Sequence, residues 1–546
     1  MAKRKGCYCL NPGRHDENKQ VPTFTSARFI LAYVGFFGFF WLYALRFNMS
    51  VGIVCMVKNP PKKLDVTTNA TSEPTSGNNT YDRALTNEEK CEAEGLGSNN
   101  RSAEGEFEWD RPTQGMVLSA FFWGYIITQV PGGWLANKYG GKLVLGSGMA
   151  LTALATLLLP VAARGSVHAV IFLRVVMGFG TGTAFPAMHG LWARWAPSFE
   201  KTKLMTLCYS GTMIGNIFTF FVSGLLCEYG FDGGWPSIFY LMGIGTAIWL
   251  LFWIFLVYDT PSVHPRISDE EKEYILQSVG ANTFKDAQNV KTPWLSFIKS
   301  PPLLAIVVAH VCNNWGNYTM MTSLPTYMKD VLKFNMKSNG LFTALPYMGM
   351  FVASIGGGQV SDILRARGVT TTVVRKTVQC IAFVLPAAFT IATGFLDCTQ
   401  RGLAVAFLTI AVTTSALNRS GYIVNHVDIA PRFAGVLFGL TNTFATVPGM
   451  LAPLAVGQLT KDRSRASWQI VFYLCGGFYL FGALVYTKFA SGVEQEWAKA
   501  KPEAQAEDGE ALTAIDEKPK ENEAEKDQNE VEVKTPLQSE KDTTEL

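Results

Sequence analysis

Charged residues are scarce in this chain. Of its 546 residues, 17% are Asp, Glu, Lys or Arg, whereas 48% are hydrophobic. A soluble protein of this length usually carries about 25% charged residues and divides into several domains. The composition therefore argues against a soluble multidomain protein. The formal net charge is only +3, and nothing resembles a nucleic-acid-binding module, so no nucleic-acid partner is expected.

Motifs of several enzyme and metal-site classes are also missing. The ten cysteines include no Cys-x-x-Cys pair, and the chain has no His-Glu-x-x-His or Gly-x-Ser-x-Gly motif. We therefore expect no catalytic residues, no cofactor and no metal site. No cleavable signal peptide is apparent, because the first apolar run is too long and lacks a small-residue cleavage site.

What the chain does contain is long apolar runs. A run of roughly 20 residues can cross about 30 Å of hydrocarbon as a helix. Twelve such runs predict an all-α membrane protein with twelve transmembrane helices. They lie at about 29–57, 114–135, 143–163, 168–189, 205–228, 237–258, 303–326, 340–361, 376–396, 402–424, 434–457 and 470–490.

Lysine and arginine residues orient the chain. They are concentrated before the first run and in the loops after the second, fourth and eighth, which predicts that both termini are cytosolic. The divisions follow: a tail 1–28, a first half 29–258, a central loop 259–302, a second half 303–490 and a disordered tail 491–546. Ser268 and Glu271 form a capping box, which predicts a short helix in the central loop.

The segment 58–113 is then luminal or extracellular. It carries three Asn-x-Ser/Thr acceptors for glycosylation, Asn69, Asn78 and Asn100. Cys91 and Cys398 fall on the same side, so a disulfide between them is compatible with the topology.

The two halves repeat each other. "GGWLANKYGGK" after the second run matches "GGGQVSDILRARG" after the eighth, and "WPSIFY" at Trp235 matches "WQIVFY" at Trp468. A repeat of six helices in the same direction predicts two halves related by an axis along the membrane normal, which can rock about a central site.

The chain resembles the major facilitator superfamily. Within it, the chain is similar to the organic anion transporters that include sialin, the vesicular glutamate transporters and the type I sodium–phosphate cotransporters. The resemblance rests on "FGFFWLYALRFNMSV" from Phe37, "GYIITQVPGGWLANKYGGK" from Gly124, "FPAMHGLWARWAP" from Phe185, "LPTYMKDVL" from Leu324 and "VNHVDIAPRFAGVLFGLTNTFATVPGM" from Val424. Within the family, "FPAMH" from Phe185, "LPTYM" from Leu324 and "TNTFAT" from Thr441 are most similar to the sialin branch.

The resemblance implies coupled transport of small organic anions, such as acidic sugars or acidic amino acids, driven by H⁺ or Na⁺ through the lipid bilayer. It implies a lysosomal or other acidic vesicle membrane, with the plasma membrane as the alternative. Two further hypotheses stay open: a Na⁺-dependent inorganic phosphate cotransporter, and a non-transporting receptor on the same fold.

Two positions depart from the family pattern. Sialin-like proteins carry acidic residues in the fourth span, where this chain has Met177 and Thr181, so the coupling ion is open. The glutamate transporters have an arginine in the seventh span where this chain has Asn313, which argues against glutamate as the main substrate.

Arg46, in the first span, is the strongest candidate for binding an anion. A charge near the bilayer centre costs at least about 2.5–3.5 kcal/mol on insertion scales, so the side chain should face the bundle interior. A guanidinium offers a planar fork to a carboxylate or phosphate. The alternative is a structural charge paired with a buried acid or with backbone carbonyls.

The fourth span places Arg174, Gly178, Thr181, Phe185 and His189 on one helix face. That face is predicted to line an aqueous path, with Arg174 a second substrate contact and His189 the proton-coupling group. The alternatives are that Arg174 snorkels to the luminal surface and that His189 is a structural histidine hydrogen-bonded at a helix end. The glycines Gly178, Gly180 and Gly182 are better explained by close packing against a neighbouring helix.

Weaker candidates complete the site. Possible substrate contacts, each of which can equally join two helices, are Tyr43, Asn313, Asn314, Tyr318 and Asn442. Possible gate residues are Lys138, Lys142, Arg419 and Asp428. For the two lysines, anchoring at lipid head groups is the alternative, and Arg419 either snorkels or pairs with Asp428.

Overall fold

The computed structural model describes residues 25–58, 105–197, 200–279 and 293–499. Twelve long helical segments run through these residues and confirm the twelve predicted spans. They are α1 (Ala27–Met56), α2 (Arg111–Tyr139), α3 (Gly141–Gly165), α4 (Val167–Trp195), α5 (Lys201–Tyr229), α6 (Trp235–Leu256), α7 (Pro301–Asp330), α8 (Met336–Ala366), α9 (Thr371–Thr393), α10 (Cys398–Ile429), α11 (Ala434–Leu459) and α12 (Arg465–Phe489).

Most of these helices have a membrane-compatible composition. Within the described residues, ten are long and apolar enough to cross a bilayer, and α2 and α7 fall outside that set. Both carry polar side chains that contact the other half, such as Gln129 of α2 and Tyr318 of α7. Many Leu, Ile and Phe side chains on the outer surface are exposed, for example Phe172 and Leu251, as expected for a surface solvated by lipid.

Two of the helices are interrupted, which differs from the prediction of continuous spans. The helix α4 breaks at Thr183, between Val167–Gly182 and Ala184–Trp195. Pro186 explains the break, because proline has no N–H to donate to the carbonyl of Gly182. The helix α10 changes to a 3₁₀ turn at Ala416–Arg419, and the Gln379 side chain accepts the freed N–H of Tyr422 at 3.0 Å.

The internal repeat is visible in the backbone. Gly140, between α2 and α3, has a φ of 95°, and Gly368, between α8 and α9, has a φ of 90°. Both glycines turn the chain between the second and third helices of their half, a conformation that only glycine adopts readily. Two six-helix halves of the same topology therefore form the major facilitator architecture.

The two ends of the bundle are named here by what they carry. The termini face holds the start of α1 at Ala27 and the end of α12 at Phe489. The loop face holds the end of α1 at Met56 and the start of α2 at Arg111, which flank the long loop. A disulfide joins Cys55 to Cys227 near this face, with 6.0 Å between their Cα atoms.

The sequence did not indicate the Cys55–Cys227 pair. Cys398 is also disulfide-bonded, whereas Cys91, the partner considered from the sequence, lies outside the described residues. Asn69, Asn78 and Asn100 lie outside them as well.

The central loop contains a linker helix, Asp269–Val279. The N–H of Glu271 donates to Ser268 Oγ at 3.2 Å, which confirms the predicted helix start. The Glu271 carboxylate accepts from the backbone N–H of Ala27 at 2.9 Å and from Arg28 Nη1 at 3.0 Å. The linker helix is thereby fastened to the first turn of α1 by a buried ion pair.

Candidate functional site

Arg46 lies where α1, α2 and α7 meet, and its side chain is only 3% exposed. Its Nη2 donates to the Tyr318 hydroxyl of α7 at 2.9 Å. The guanidinium carbon lies within 5.7 Å of the centroids of six aromatic rings, a distance typical of cation–π contacts. The rings belong to Tyr43, Phe47, Phe121, Phe122, Tyr125 and Tyr318.

Arg174 of α4 is a second buried guanidinium beside the first. It is 1% exposed and lies 5.1 Å from the Phe121 ring that also contacts Arg46. Its Nη2 donates to the backbone carbonyl of Arg46 at 3.5 Å, and its Nε donates to that of Val117 at 3.4 Å. The two arginines, 128 residues apart in sequence, thus belong to one buried cluster around Phe121, which is called the chamber below.

Neither guanidinium has a carboxylate partner among the described residues. Arg28, Arg111, Arg164 and Arg375 form ion pairs there, but Arg46 and Arg174 do not. Arg46 Nε and Arg174 Nη1 are buried without a hydrogen-bond partner in the described part of the chain. Buried charges are normally paired, so two adjacent unpaired cations form a site that is complementary to an anion.

The glycines of α4 bring the helices of this chamber together. A Cβ on Gly178 would collide with the carbonyl oxygen of Phe121 on α2. A Cβ on Gly180 would lie 2.6 Å from Thr152 Oγ1 on α3. The close-packing interpretation of these glycines is therefore confirmed.

The same contacts correct the predicted aqueous face of α4. Arg174 and Thr181 are buried, and Gly178 packs against α2, so this part of the face contacts protein rather than an open path. Beyond the break at Thr183, Phe185 is half-buried and His189 is exposed. Only the segment Ala184–Trp195 therefore presents this face to solvent in the present conformation.

The weaker candidates in the second half have different partners. Tyr318 contacts Arg46, as described, and the half-buried Tyr43 ring lies one helical turn from Arg46. Asn313 Nδ2 donates to the Tyr422 hydroxyl at 3.4 Å and its Oδ1 accepts from Asn418 at 2.7 Å. Asn313 is thereby occupied within its own half.

Asn314 and Asn442 join helices. Asn314 Nδ2 donates to the carbonyl of Ala445 at 2.8 Å, which links α7 to α11. Asn442 Nδ2 donates to Gln129 Oε1 at 2.8 Å across the two halves, and Gln129 Nε2 donates to Thr446 Oγ1 at the same distance. In this conformation both asparagines serve the packing role that was the alternative for them.

The two halves are closed against each other at the loop face. A buried ion pair joins Arg111 of α2 to Asp330 of α7. Next to it, Lys329 Nζ donates to the carbonyl of Val54 on α1 at 2.7 Å. A Cβ on Gly340 of α8 would lie 2.7 Å from the Cα of Gly224 on α5, so these two helices also touch backbone to backbone.

Toward the termini face, side chains inside the spanning helices of both halves reach solvent. His189 of α4 and Arg419 of α10 are both exposed, although each lies well inside a spanning helix. The His189 Nδ1 atom lies 2.8 Å from the Tyr209 hydroxyl and 2.9 Å from the carbonyl of Phe185. Because both contacts involve Nδ1, Nε2 makes no hydrogen bond to the described residues. The structure is thus a conformation closed at the loop face and open at the termini face.

The pairing of Arg419 with Asp428, one of the alternatives considered for these gate candidates, does not form. Asp428 pairs with Arg375 of α9, whose Nε donates to Asp428 Oδ2 at 2.7 Å, and not with Arg419. Arg419 lies instead within electrostatic reach of Tyr43 and Tyr422. Arg419 and Asp428 do not meet because residues nine positions apart in a helix lie on opposite faces, about 13.5 Å apart along the axis.

The two lysines of the loop between α2 and α3 contact only their own half. Lys142 Nζ donates to the carbonyl of Ile254 at 2.8 Å and lies 4.3 Å from the Tyr258 ring. The exposed Lys138 lies 4.9 Å from the Trp134 ring of its own helix. These contacts favour anchoring over gating for both lysines.

Comparison with known proteins identifies the family. A model described as the Major Facilitator Superfamily matches residues 102–453. The chain is 44% identical to sialin from Homo sapiens over 480 residues, which cover 88% of this chain and 92% of that protein. The chain belongs to the major facilitator superfamily. It is a multi-pass membrane transporter of the sialin family and not an enzyme.

Other relatives agree with this assignment. A vesicular glutamate transporter 3 from Danio rerio is 37% identical over 86% of this chain and 74% of its own length. A putative inorganic phosphate cotransporter from Drosophila ananassae is 40% identical over 85% of this chain and 92% of its own length. The crystal structure of a D-xylose–proton symporter shares the fold, with a TM-score of 0.61 and 15% identity, over 86% of this chain and all of that one.

Several functional residues were not found from the sequence. The ring cage on α2 is formed by Phe121, Phe122 and Tyr125. It has a detectable signal, since four of the five residues from Phe121 to Tyr125 are aromatic, in a span that also holds Gln129. Arg111 and Asp330 carry no such signal, because each is one charge at the end of an apolar run. Only the folded chain brings those two together.

Proposed function

We propose that this transporter moves small organic anions by alternating access, with Arg46 and Arg174 binding the anion and a cation gradient supplying the free energy. The observation that carries the proposal is the pair of adjacent buried guanidiniums with unpaired N–H groups. An anion entering between them would supply the missing charge and hydrogen bonds, and guanidiniums bind carboxylates and phosphates in a bidentate geometry.

The position of the pair supports alternating access. The chamber lies between halves that touch at the loop face, and toward the termini face side chains of both halves reach solvent. Rocking of the halves would break the Arg111–Asp330 pair and close the termini face, which moves the opening from one side of the chamber to the other. We place the termini face in the cytosol and the loop face in the lumen of an acidic vesicle or lysosome, with the plasma membrane as the alternative.

A flux experiment tests the proposal. Purified protein in liposomes is given sialic acid, aspartate, glutamate or inorganic phosphate under separately imposed proton and sodium gradients. We expect uptake of an acidic sugar or acidic amino acid that responds to the proton gradient. Absence of flux for all four anions would show that the protein does not transport this class.

Inorganic phosphate with sodium is the second candidate. It is favoured by the 40% identity to a putative inorganic phosphate cotransporter and by the absence of a carboxylate at Met177 and Thr181. Phosphate uptake driven by sodium alone in the same liposomes would establish it.

Glycosylation provides a test of sidedness. If the loop face is luminal, the protein expressed in a glycosylating host should shift in gel mobility after N-glycosidase treatment. Replacing Asn69, Asn78 and Asn100 together with glutamine should abolish the shift. A wild-type protein that shows no shift in such a host would contradict the proposed orientation.

His189 is proposed to exchange protons with the open side of the chamber. Its ring is exposed, and only Nδ1 is occupied by described residues, so Nε2 can take up a proton from water. The variant His189→Gln should lose accumulation driven by a pH gradient yet exchange substrate at equal pH within about twofold of wild type. His168→Gln, at the other end of α4, is the matched control. Normal pH-driven accumulation by His189→Gln would show that this histidine is structural.

A further inference from the structure

The second half contains a pair of buried histidines that belongs to none of the features above. His310 of α7 is 4% exposed and His426 of α10 is 1% exposed. The Thr441 hydroxyl of α11 lies between them, 3.2 Å from His310 Nδ1 and 2.9 Å from His426 Nε2. One hydroxyl therefore joins two imidazoles that come from different helices.

The contact between His426 and the backbone carbonyl of Ile423 determines which atoms donate in these hydrogen bonds. His426 Nδ1 lies 2.9 Å from the carbonyl of Ile423, and because a carbonyl only accepts, Nδ1 carries a proton. In the neutral ring Nε2 is then an acceptor, and at 2.9 Å it lies closer to Thr441 Oγ1 than the competing carbonyl of Phe438 at 3.2 Å, so Thr441 donates its single proton to Nε2. His310 Nδ1 must therefore donate to Thr441 Oγ1, which leaves His310 Nε2 as the basic nitrogen of the trio.

The same three side chains can hold one more proton without a shift of heavy atoms. A proton taken up at His310 Nε2 allows Nδ1 to pass its proton to Thr441 Oγ1. The Thr441 hydroxyl proton passes in turn to His426 Nε2. His310 is then neutral with its proton on Nε2, and His426 is an imidazolium that donates from both nitrogens. Both hydrogen bonds of Thr441 are kept with their direction reversed, whereas His426 Nδ1 still donates to the carbonyl of Ile423. The same transfers in reverse release the proton from His310 Nε2.

The surroundings supply no competing charge at hydrogen-bond distance in the described chain. The Tyr422 ring of α10 lies 4.9 Å from the His310 ring, and the Phe438 ring of α11 lies 5.7 Å from that of His426. The nearby charges of α9 and α10, Arg375 and Asp428, are paired with each other. On α12, the Tyr486 hydroxyl accepts from Asn425 Nδ2 at 2.9 Å.

The trio is also connected to the anion chamber. The Tyr422 ring that packs against His310 at a tilt carries the hydroxyl that accepts from Asn313. Asn313 lies on α7, the helix that also carries Tyr318, which contacts Arg46. Because α7 carries both His310 and the Arg46 partner, a movement of this helix affects both groups.

We propose that His310, Thr441 and His426 form a proton-binding relay in the second half that acts in series with His189, so that both are needed to carry the proton of the transport cycle. The proposal rests on the proposed function, since it assigns the coupling ion of the same transporter. It also explains how the chain can couple to protons although the fourth span has Met177 and Thr181 in place of acidic residues.

Thr441 allows the sharpest test. Thr441→Val keeps the shape but removes the hydroxyl, whereas Thr441→Ser keeps the hydroxyl and is the matched control. The readout is the steady-state accumulation ratio of sialic acid in liposomes under an imposed pH gradient, because a slower but intact cycle reaches the same ratio. We expect the Val variant to fall at least about tenfold, toward a ratio of one, and the Ser variant to stay within about twofold of wild type.

Exchange of sialic acid at equal pH separates this proposal from the proposed function. The Val variant should exchange within about twofold of wild type, which also shows that it is folded. His426→Gln, which keeps hydrogen bonding but does not titrate, should reproduce the result if the Val variant does not fold. A Val or Gln variant that reaches the wild-type ratio would overturn the relay. If the wild-type protein exchanges sialic acid but its accumulation does not respond to the pH gradient, the relay is overturned and anion transport still stands. If the wild-type protein shows no exchange, the proposed function is refuted.

Discussion

Replacing Arg46 with alanine is expected to nearly abolish anion uptake while leaving the protein folded. The guanidinium is one of two positive charges in the chamber, and it has no carboxylate to release among the described residues. A hydrogen bond to a charged group contributes about 1.5–3 kcal/mol. The loss of a bidentate contact should therefore lower anion affinity on the order of 100-fold.

Arg46→Lys should recover only part of the uptake, because an ammonium does not reproduce the planar fork of a guanidinium. Arg367→Ala removes the same charge from an exposed position at the end of α8 and serves as the control. Uptake of radiolabelled sialic acid, normalised to surface abundance, is the measurement, and thermal unfolding checks the fold. Wild-type uptake by Arg46→Ala would contradict the assignment of this residue to the anion site.

Neutralising Asp330 should have the second largest effect, because it breaks the buried pair that closes the loop face. Breaking a buried ion pair by removing one partner costs about 3–5 kcal/mol, and the Arg111–Asp330 pair bridges the two halves in this conformation. The variant Asp330→Asn should therefore favour opening of the loop face and slow transport at least about tenfold.

Ser119 can report opening of the loop face. It lies on α2 and is buried against α11, where its hydroxyl donates to the carbonyl of Met450 at 2.7 Å. In a Ser119→Cys background, Asp330→Asn should speed labelling by a membrane-impermeant maleimide added at the loop face. The control is Asp232→Asn, which removes a partly exposed carboxylate at the same face. Asp232 pairs with Arg164 inside one half, and such surface pairs contribute only about 0–1 kcal/mol to stability.

The double variant Arg111→Gln with Asp330→Asn should recover part of the loss, because it leaves no unpaired buried charge. Equal labelling of Asp330→Asn and the control would show that this ion pair does not hold the loop face closed.

The sequence was sufficient for the architecture for a simple physical reason. Hydrocarbon excludes unsatisfied backbone groups, so each apolar run of sufficient length forms a helix, and the first predicted run, 29–57, corresponds closely to Ala27–Met56. The breaks in α4 and α10 were missed because they depend on a missing hydrogen bond at Pro186 and on a side-chain cap from Gln379, neither of which changes hydropathy.

The site was only partly predictable. Arg46 and Arg174 were found because a charge in an apolar run is costly and visible in one dimension. Their common chamber, the ring cage on α2 and the Thr441 link between His310 and His426 depend on contacts between residues far apart in sequence. The pairing of Asp428 with Arg419, one of the two alternatives for Arg419, does not form, because Asp428 pairs with Arg375, 53 residues away.

The central claim is that the chamber recognises negative charge. A comparison of two ligands that differ only in the charge of one group tests it most directly. Sialic acid and its methyl ester have nearly the same shape but differ in the charge of one carboxyl group. Competition with labelled sialic acid uptake in wild-type liposomes should show inhibition by unlabelled acid at a concentration at least about 100-fold lower than by the ester. The Arg46→Ala variant should lose this difference in a binding assay. Equal inhibition by acid and ester in the wild type would contradict the account, because it would show that the two guanidiniums do not bind the charged group.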